Sequence, residues 1–111
     1  MTNVTRLQIP NRMYSHNVRI IVDDNPLNAI LDYVFDDNGV LPVAVWIKTK
    51  KSESTLDREL RSSSKAVSLL LQYGCSLKDI SDTFTRDSII GSVIWYINKN
   101  LEDILAGNQP D

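Results

Sequence analysis

The residues in this chain that could do chemistry are mainly basic and hydroxylated. Lys48, Lys50, Lys51 and Ser52 precede a predicted helix, and Arg58, Arg61 and Lys65 fall on that helix at i, i+3 and i+7, so they share one face. Thr85-Arg86-Asp87-Ser88 leads into another predicted helix. Helix N-termini present free N–H groups and the positive end of a dipole, and both suit a phosphate. Arg12 would join the set if the N-terminal arm folds back. The ligand-binding residues expected from sequence are therefore Arg12, Lys50, Arg58, Arg61, Arg86 and Ser88. The competing reading is a solvated face that balances Asp57, Glu59 and Asp79.

The other reactive side chains form no catalytic constellation. Cys75 follows a helix-ending glycine and lacks a nearby base; it reads as a small buried residue in a helix stop. His16 is the only histidine and has no serine or cysteine motif to serve, so it reads as structural or solvated. Asp23-Asp24, Asp36-Asp37 and Glu53 with Asp57 match no EF-hand or other oxygen-cage spacing. Turn formation and helix capping explain them. Trp46 and Tyr73 read as core residues, while Trp95 and Tyr96 flank an apolar stripe and suit a subunit contact. No catalytic residue, metal site or cofactor is expected.

These side chains must be positioned by strands first and helices after. Residues 17–22 are rich in β-branched types and read as a strand. Residues 27–35 alternate, with Ala29, Leu31, Tyr33 and Phe35 on one face and Asn28, Ile30, Asp32 and Val34 on the other. Asn38-Gly39 is a hairpin signal, because it tolerates positive φ. Residues 40–49 form the third strand, with Pro42 confined to its start or to an edge. Ser54-Thr55-Leu56-Asp57 resembles a capping box and opens a helix that runs to Tyr73. Residues 66–71 are apolar almost all round, which predicts burial on more than one side, against the sheet or a second subunit. Gly74 ends that helix, Ser76 caps a short one through Phe84, and Ser88 caps a last helix over residues 89–106.

Composition bounds the rest. A length of 111 residues supports one domain with one core, here residues 1–111, with residues 1–12 as a loose arm and residues 108–111 as a tail. The net charge of −2 gives no global pull toward nucleic acid, though a local basic patch is compatible with it. One cysteine excludes an internal disulfide and fits a reducing, cytoplasmic setting. No stretch approaches the roughly 20 apolar residues of a membrane span, and the N-terminus lacks the apolar run of a signal peptide.

The stretch from residue 58 to residue 97 carries a family likeness. Arg61, Ala66, Ser68, Leu69, Leu71, Gln72, Gly74 and Leu77 follow one another as in that family, with Thr85, Arg86 and Gly91 behind them. Upstream, Ile9-Pro10-Asn11-Arg12, Asn38-Gly39 and Pro42-Val43-Ala44-Val45-Trp46-Ile47 match in the same order. The chain resembles the TSCPD-type domain, found at the C-terminal end of cobalamin-dependent ribonucleotide reductases and as short stand-alone proteins of bacteria and their viruses. The Thr-Ser-Cys-Pro-Asp motif is absent, Ala44 replaces a strand glutamate and Ser76 replaces a proline. The resemblance supports the scaffold; the reductase's radical barrel and its cysteines have no counterpart here.

The expected architecture is an α+β domain: a three-stranded antiparallel meander followed by three helices packed on one face. Its sheet edges and apolar helix predict a homodimer or higher oligomer. The expected function is non-catalytic binding of a phosphate-bearing, nucleotide-like small molecule, with sequestration of a nucleotide signal by a viral protein as one variant. The alternative is a protein-interaction module or an accessory subunit related to ribonucleotide reductase. Neither a membrane nor a nucleic acid is expected as partner.

Overall fold

The computed structural model describes residue 6 and residues 13–37, 39–50 and 54–107. The expected N-terminal arm apart from Arg6, the turn residue Asn38, Lys51, Ser52 and the tail lie outside the described residues. Strands β1 (Tyr14–Val22), β2 (Asn25–Asp36) and β3 (Gly39–Thr49) form an antiparallel sheet in the order β1-β2-β3. Helices α1 (Thr55–Gln72), α2 (Leu77–Thr83), α3 (Ile89–Lys99) and α4 (Leu101–Leu105) follow. This is the α+β meander expected from sequence. The last helix, however, divides at Asn100. The Asn100 side chain donates to the Tyr96 carbonyl (2.9 Å), and its own N–H reaches the same oxygen (3.1 Å). Local side-chain bonding of this kind competes with a continuing helix. Among the described residues no helix is long and apolar enough to cross a membrane.

Both hairpins obey local chemistry, with differences in detail. Val22 pairs with Asn25, so Asp23 and Asp24 make a two-residue turn, and both have positive φ (49° and 64°). That is the type I′ geometry, which favours Asn-Gly. Asp24→Gly is therefore expected to stabilise the protein by about 0.5–1 kcal/mol, read as a raised urea midpoint with an unchanged m-value. In the second hairpin Gly39 (φ 113°) pairs with Asp36 as the first residue of β3, rather than sitting in the middle of the turn. The register then slips between Asp32 and Tyr33, because Asp32 opposes Ala44 while Tyr33 opposes Pro42. Val43 is the extra residue of a bulge, and Pro42, which lacks an N–H, sits next to it on an edge strand.

One face of the sheet carries the core. Val18 and Ile20, Leu27, Ala29 and Leu31, and Val45 and Ile47 are buried against Leu60, Val67 and Leu71 of α1. Leu77 and Ile80 of α2, Val93, Ile94 and Ile97 of α3 and Ile104 of α4 complete it. Phe35, placed on this face by alternation, is 60% exposed beyond the end of the core, where it meets the edges of Tyr14 and Tyr33.

Helix α1 does a second job along β3. Ser68 Oγ accepts from the Val45 N–H (3.0 Å) and donates to the Val45 carbonyl (3.2 Å). Gln72 Nε2 donates to the Val43 carbonyl (3.0 Å), and Arg6 Nε donates to Gln72 Oε1 (2.6 Å). Side chains one turn apart thus satisfy edge groups that another strand would otherwise pair. Within the single chain α1 is buried on one side: Val67, Ser68 and Leu71 are buried, whereas Ala66, Leu69, Leu70 and Tyr73, the last of them expected in the core, form an exposed stripe. Cys75 is exposed rather than buried. Gly74 does end α1 at positive φ (100°), and the Cys75 N–H reaches back to the Leu70 carbonyl (3.0 Å).

Candidate functional site

The sheet face opposite the core carries the polar and half-buried residues of β2 and β3. Alternation puts Asn28, Ile30 and Asp32 there, opposite Lys48, Trp46 and Ala44 respectively. Trp46 is therefore not a core residue. Its indole Nε1 donates to Asp32 Oδ2 (3.1 Å), and Ser15 donates to Asp32 Oδ1 (2.5 Å). Asp32 is buried, and both of its oxygens are engaged. The indole is held edge-on to the carboxylate and its ring is half-buried.

The second wall comes from the first turns of α1. Ser54 caps the helix by accepting the Asp57 N–H (3.1 Å). The Asp57 carboxylate is buried and receives the Thr49 hydroxyl (3.2 Å) and Arg61 Nη2 (2.7 Å). The Arg61 side chain is half exposed, so its guanidinium is anchored at one nitrogen while the rest faces outward. Lys65 follows one turn later and is exposed.

Between these walls lies a groove of about 680 Å³, lined by Ile30, Asp32, Trp46, Ile47, Lys48, Thr49, Asp57, Arg61 and Lys65. That size is in the range of small-molecule sites. The groove combines an aromatic and aliphatic shelf with three cations, while both of its carboxylates already have partners. It can hold a planar, anionic molecule by stacking and by charge-assisted hydrogen bonds.

The residues expected from sequence do not form one cluster. Arg61 lies in the groove. Arg58 is exposed on α1 and does not line it. Lys50 lines a separate depression with Arg19, Ile21, Pro26 and Asn28. Arg86 lies over the Trp95 ring (3.8 Å to its centre), with Lys99 Nζ also near that ring (4.8 Å). Ser88 caps α3, accepting the Gly91 N–H (3.0 Å) and donating to the Thr85 carbonyl (2.7 Å). Arg12 lies outside the described residues. The helix starts that were expected to offer free N–H groups use some of them on their own serine caps. Ser76 does the same for α2, taking the Asp79 N–H (3.1 Å). On that helix Asp82 raises the Lys78 pKa through a hydrogen bond and its charge.

Lys48 and Lys65 belonged to the expected basic set, whereas Trp46 and Asp32 were not assigned to a site. The alternation of Asn28, Ile30 and Asp32 was the signal for that outer face. Comparison with known protein families, with curated proteins and with solved structures finds no match to this chain.

Proposed function

We propose that this protein is a non-catalytic binding module for a phosphate-bearing, nucleotide-like small molecule, held in the groove between Trp46 and α1. The supporting observation is the composition of that groove. A base stacks on Trp46, whose ring plane is held by Asp32, and stacking of this kind is worth about 1–3 kcal/mol. Arg61, Lys65 and Lys48 receive the phosphate, with Arg61 presenting its fork from a fixed anchor on Asp57. The resemblance to the stand-alone TSCPD-type proteins supports a scaffold that acts by binding, and sequestration of a nucleotide signal is one use of such a site. A reducing, cytoplasmic setting suits an exposed free Cys75.

A thermal-shift screen with nucleoside monophosphates tests this. The melting temperature is expected to rise with ligand concentration, and Arg61→Ala is expected to weaken the response by about tenfold in concentration, or about 1.4 kcal/mol. No shift with any nucleotide, together with the same flat response in Arg61→Ala, overturns the reading.

The exposed stripe Ala66, Leu69, Leu70 and Tyr73 favours a second reading, self-association or docking on a larger protein such as a reductase subunit. A dimer mass on sizing chromatography that falls to a monomer in Leu69→Glu supports a homodimer; a monomer mass for the unmodified protein removes it.

A further inference from the structure

The groove at Trp46 has a neighbour on the same sheet face. Arg19, Asn28 and Lys48 are register partners, so they form one row across β1, β2 and β3. Lys48 lines the Trp46 groove, and Arg19 and Asn28 line a second depression of about 410 Å³. The two depressions therefore adjoin, with strand spacing placing the Cα atoms of Arg19 and Lys48 about 10 Å apart. Their make-up repeats. The first sets Trp46 and Ile30 beside Lys48, Arg61 and Lys65; the second sets Ile21, which is 69% exposed, and its partner Pro26 beside Arg19 and Lys50. Together they collect five cations and two carboxylates in a chain whose net charge is −2. Around these two depressions basic side chains outnumber acidic ones. Asp57 is paired with Arg61, so the excess positive charge around the two depressions comes from Lys48, Lys65, Arg19 and Lys50, set against Asp32.

Resting on the reading of the first groove as a nucleotide site, we propose that the ligand is a single-stranded oligonucleotide segment of at least two nucleotides, laid across the open sheet face. One base stacks on Trp46, and the next lies on the Ile21–Pro26 shelf. The linking phosphate crosses the row from Lys48 toward Arg19, and in a longer segment Lys50 receives the next one. Sheet faces that expose an aromatic ring among cations bind single strands in this way, because the bases of a single strand are free to splay and stack. Contiguous phosphates of a mononucleotide would fill the first depression only.

Calorimetric titration with adenosine monophosphate, adenosine triphosphate and the 5′-phosphorylated dinucleotide pApA separates the possibilities. The dinucleotide is expected to bind at least about tenfold more tightly than the monophosphate, with a salt dependence steeper by about 0.7 in log–log slope for the added phosphate. The double variant Arg19→Gln, Lys50→Gln is expected to abolish that gain while leaving the monophosphate affinity within about twofold, because those side chains lie outside the first groove. Equal affinity for the monophosphate and the dinucleotide overturns the two-site proposal and leaves the single groove standing. Triphosphate binding tighter than the dinucleotide overturns it too, since charge alone would then set affinity. No binding of any of the three removes the nucleotide reading itself.

Discussion

Gly91→Ala is expected to destabilise the protein by at least about 3 kcal/mol, lowering the melting temperature on the order of 15 °C. Gly91 is buried in the first turn of α3, where the preceding loop folds back against the helix. A Cβ there would lie 1.9 Å from the Thr85 carbonyl oxygen and 2.9 Å from its carbon. The obstacle is backbone, which has no rotamer to escape into. Ser88 Oγ would also be 2.8 Å away, and that atom joins the Gly91 N–H to the Thr85 carbonyl. Relief requires the loop to move, which breaks the cap and carries Arg86 off the Trp95 ring. The helix propensity of alanine recovers only about 1 kcal/mol. Circular dichroism melting curves decide the matter. A variant melting within 2–3 °C of the parent, roughly what a change below 1 kcal/mol gives, contradicts the close approach.

The second large effect concerns two serines four residues apart on α1, with opposite expected outcomes. Ser68→Ala removes the hydroxyl that satisfies both the N–H and the carbonyl of Val45, and it leaves two edge groups of β3 buried and unpaired. The expected cost is about 2–4 kcal/mol. Ser64 is also fully buried, but its hydroxyl has no hydrogen-bond partner among the described residues. Ser64→Ala deletes an unsatisfied polar group and improves helix propensity, so it is expected to be neutral or to stabilise by about 1 kcal/mol. Urea denaturation of the pair measures both. Equal losses in the two variants contradict the edge-capping role of Ser68. Because α1 also carries Arg61 and Lys65, loosening it from β3 is expected to weaken ligand binding in Ser68→Ala. In Ser64→Ala binding stays intact.

The same two serines show what was readable in the sequence. Elements announced by local chemistry were accessible. Ser54, Ser76 and Ser88 each accept a backbone N–H three residues on, and Gly74 takes positive φ, all as short-range signals imply. The position of α1 against the β3 edge has no local signature. Ser68 and Gln72 look like ordinary polar helix residues until β3 supplies an open carbonyl at each turn. Within the single chain the face of α1 toward β3 is partly polar, through Ser68 and Gln72, and Leu69 and Leu70 lie exposed on the other side.

Part of the candidate site was readable, namely the basic face of α1 with Arg61 and Lys65. Alternation around Trp46 gives two faces without saying which one the helices cover, so a core position for Trp46 is not fixed by the strand pattern. The five expected residues that are described scatter, since Ser88 is spent on a cap and Arg86 lies over Trp95. The net charge was similarly uninformative. It averages the basic residues around the two depressions with acidic turns such as Asp23-Asp24 and Asp36-Asp37.

The most direct measurement is the fluorescence of Trp46 in a Trp95→Phe background, where it is the only tryptophan. Titration with adenosine monophosphate is expected to quench or shift its emission saturably, with the midpoint moving upward in Arg61→Ala. Emission that stays unchanged to millimolar nucleotide, in a protein whose melting curve shows it folded, contradicts binding in this groove.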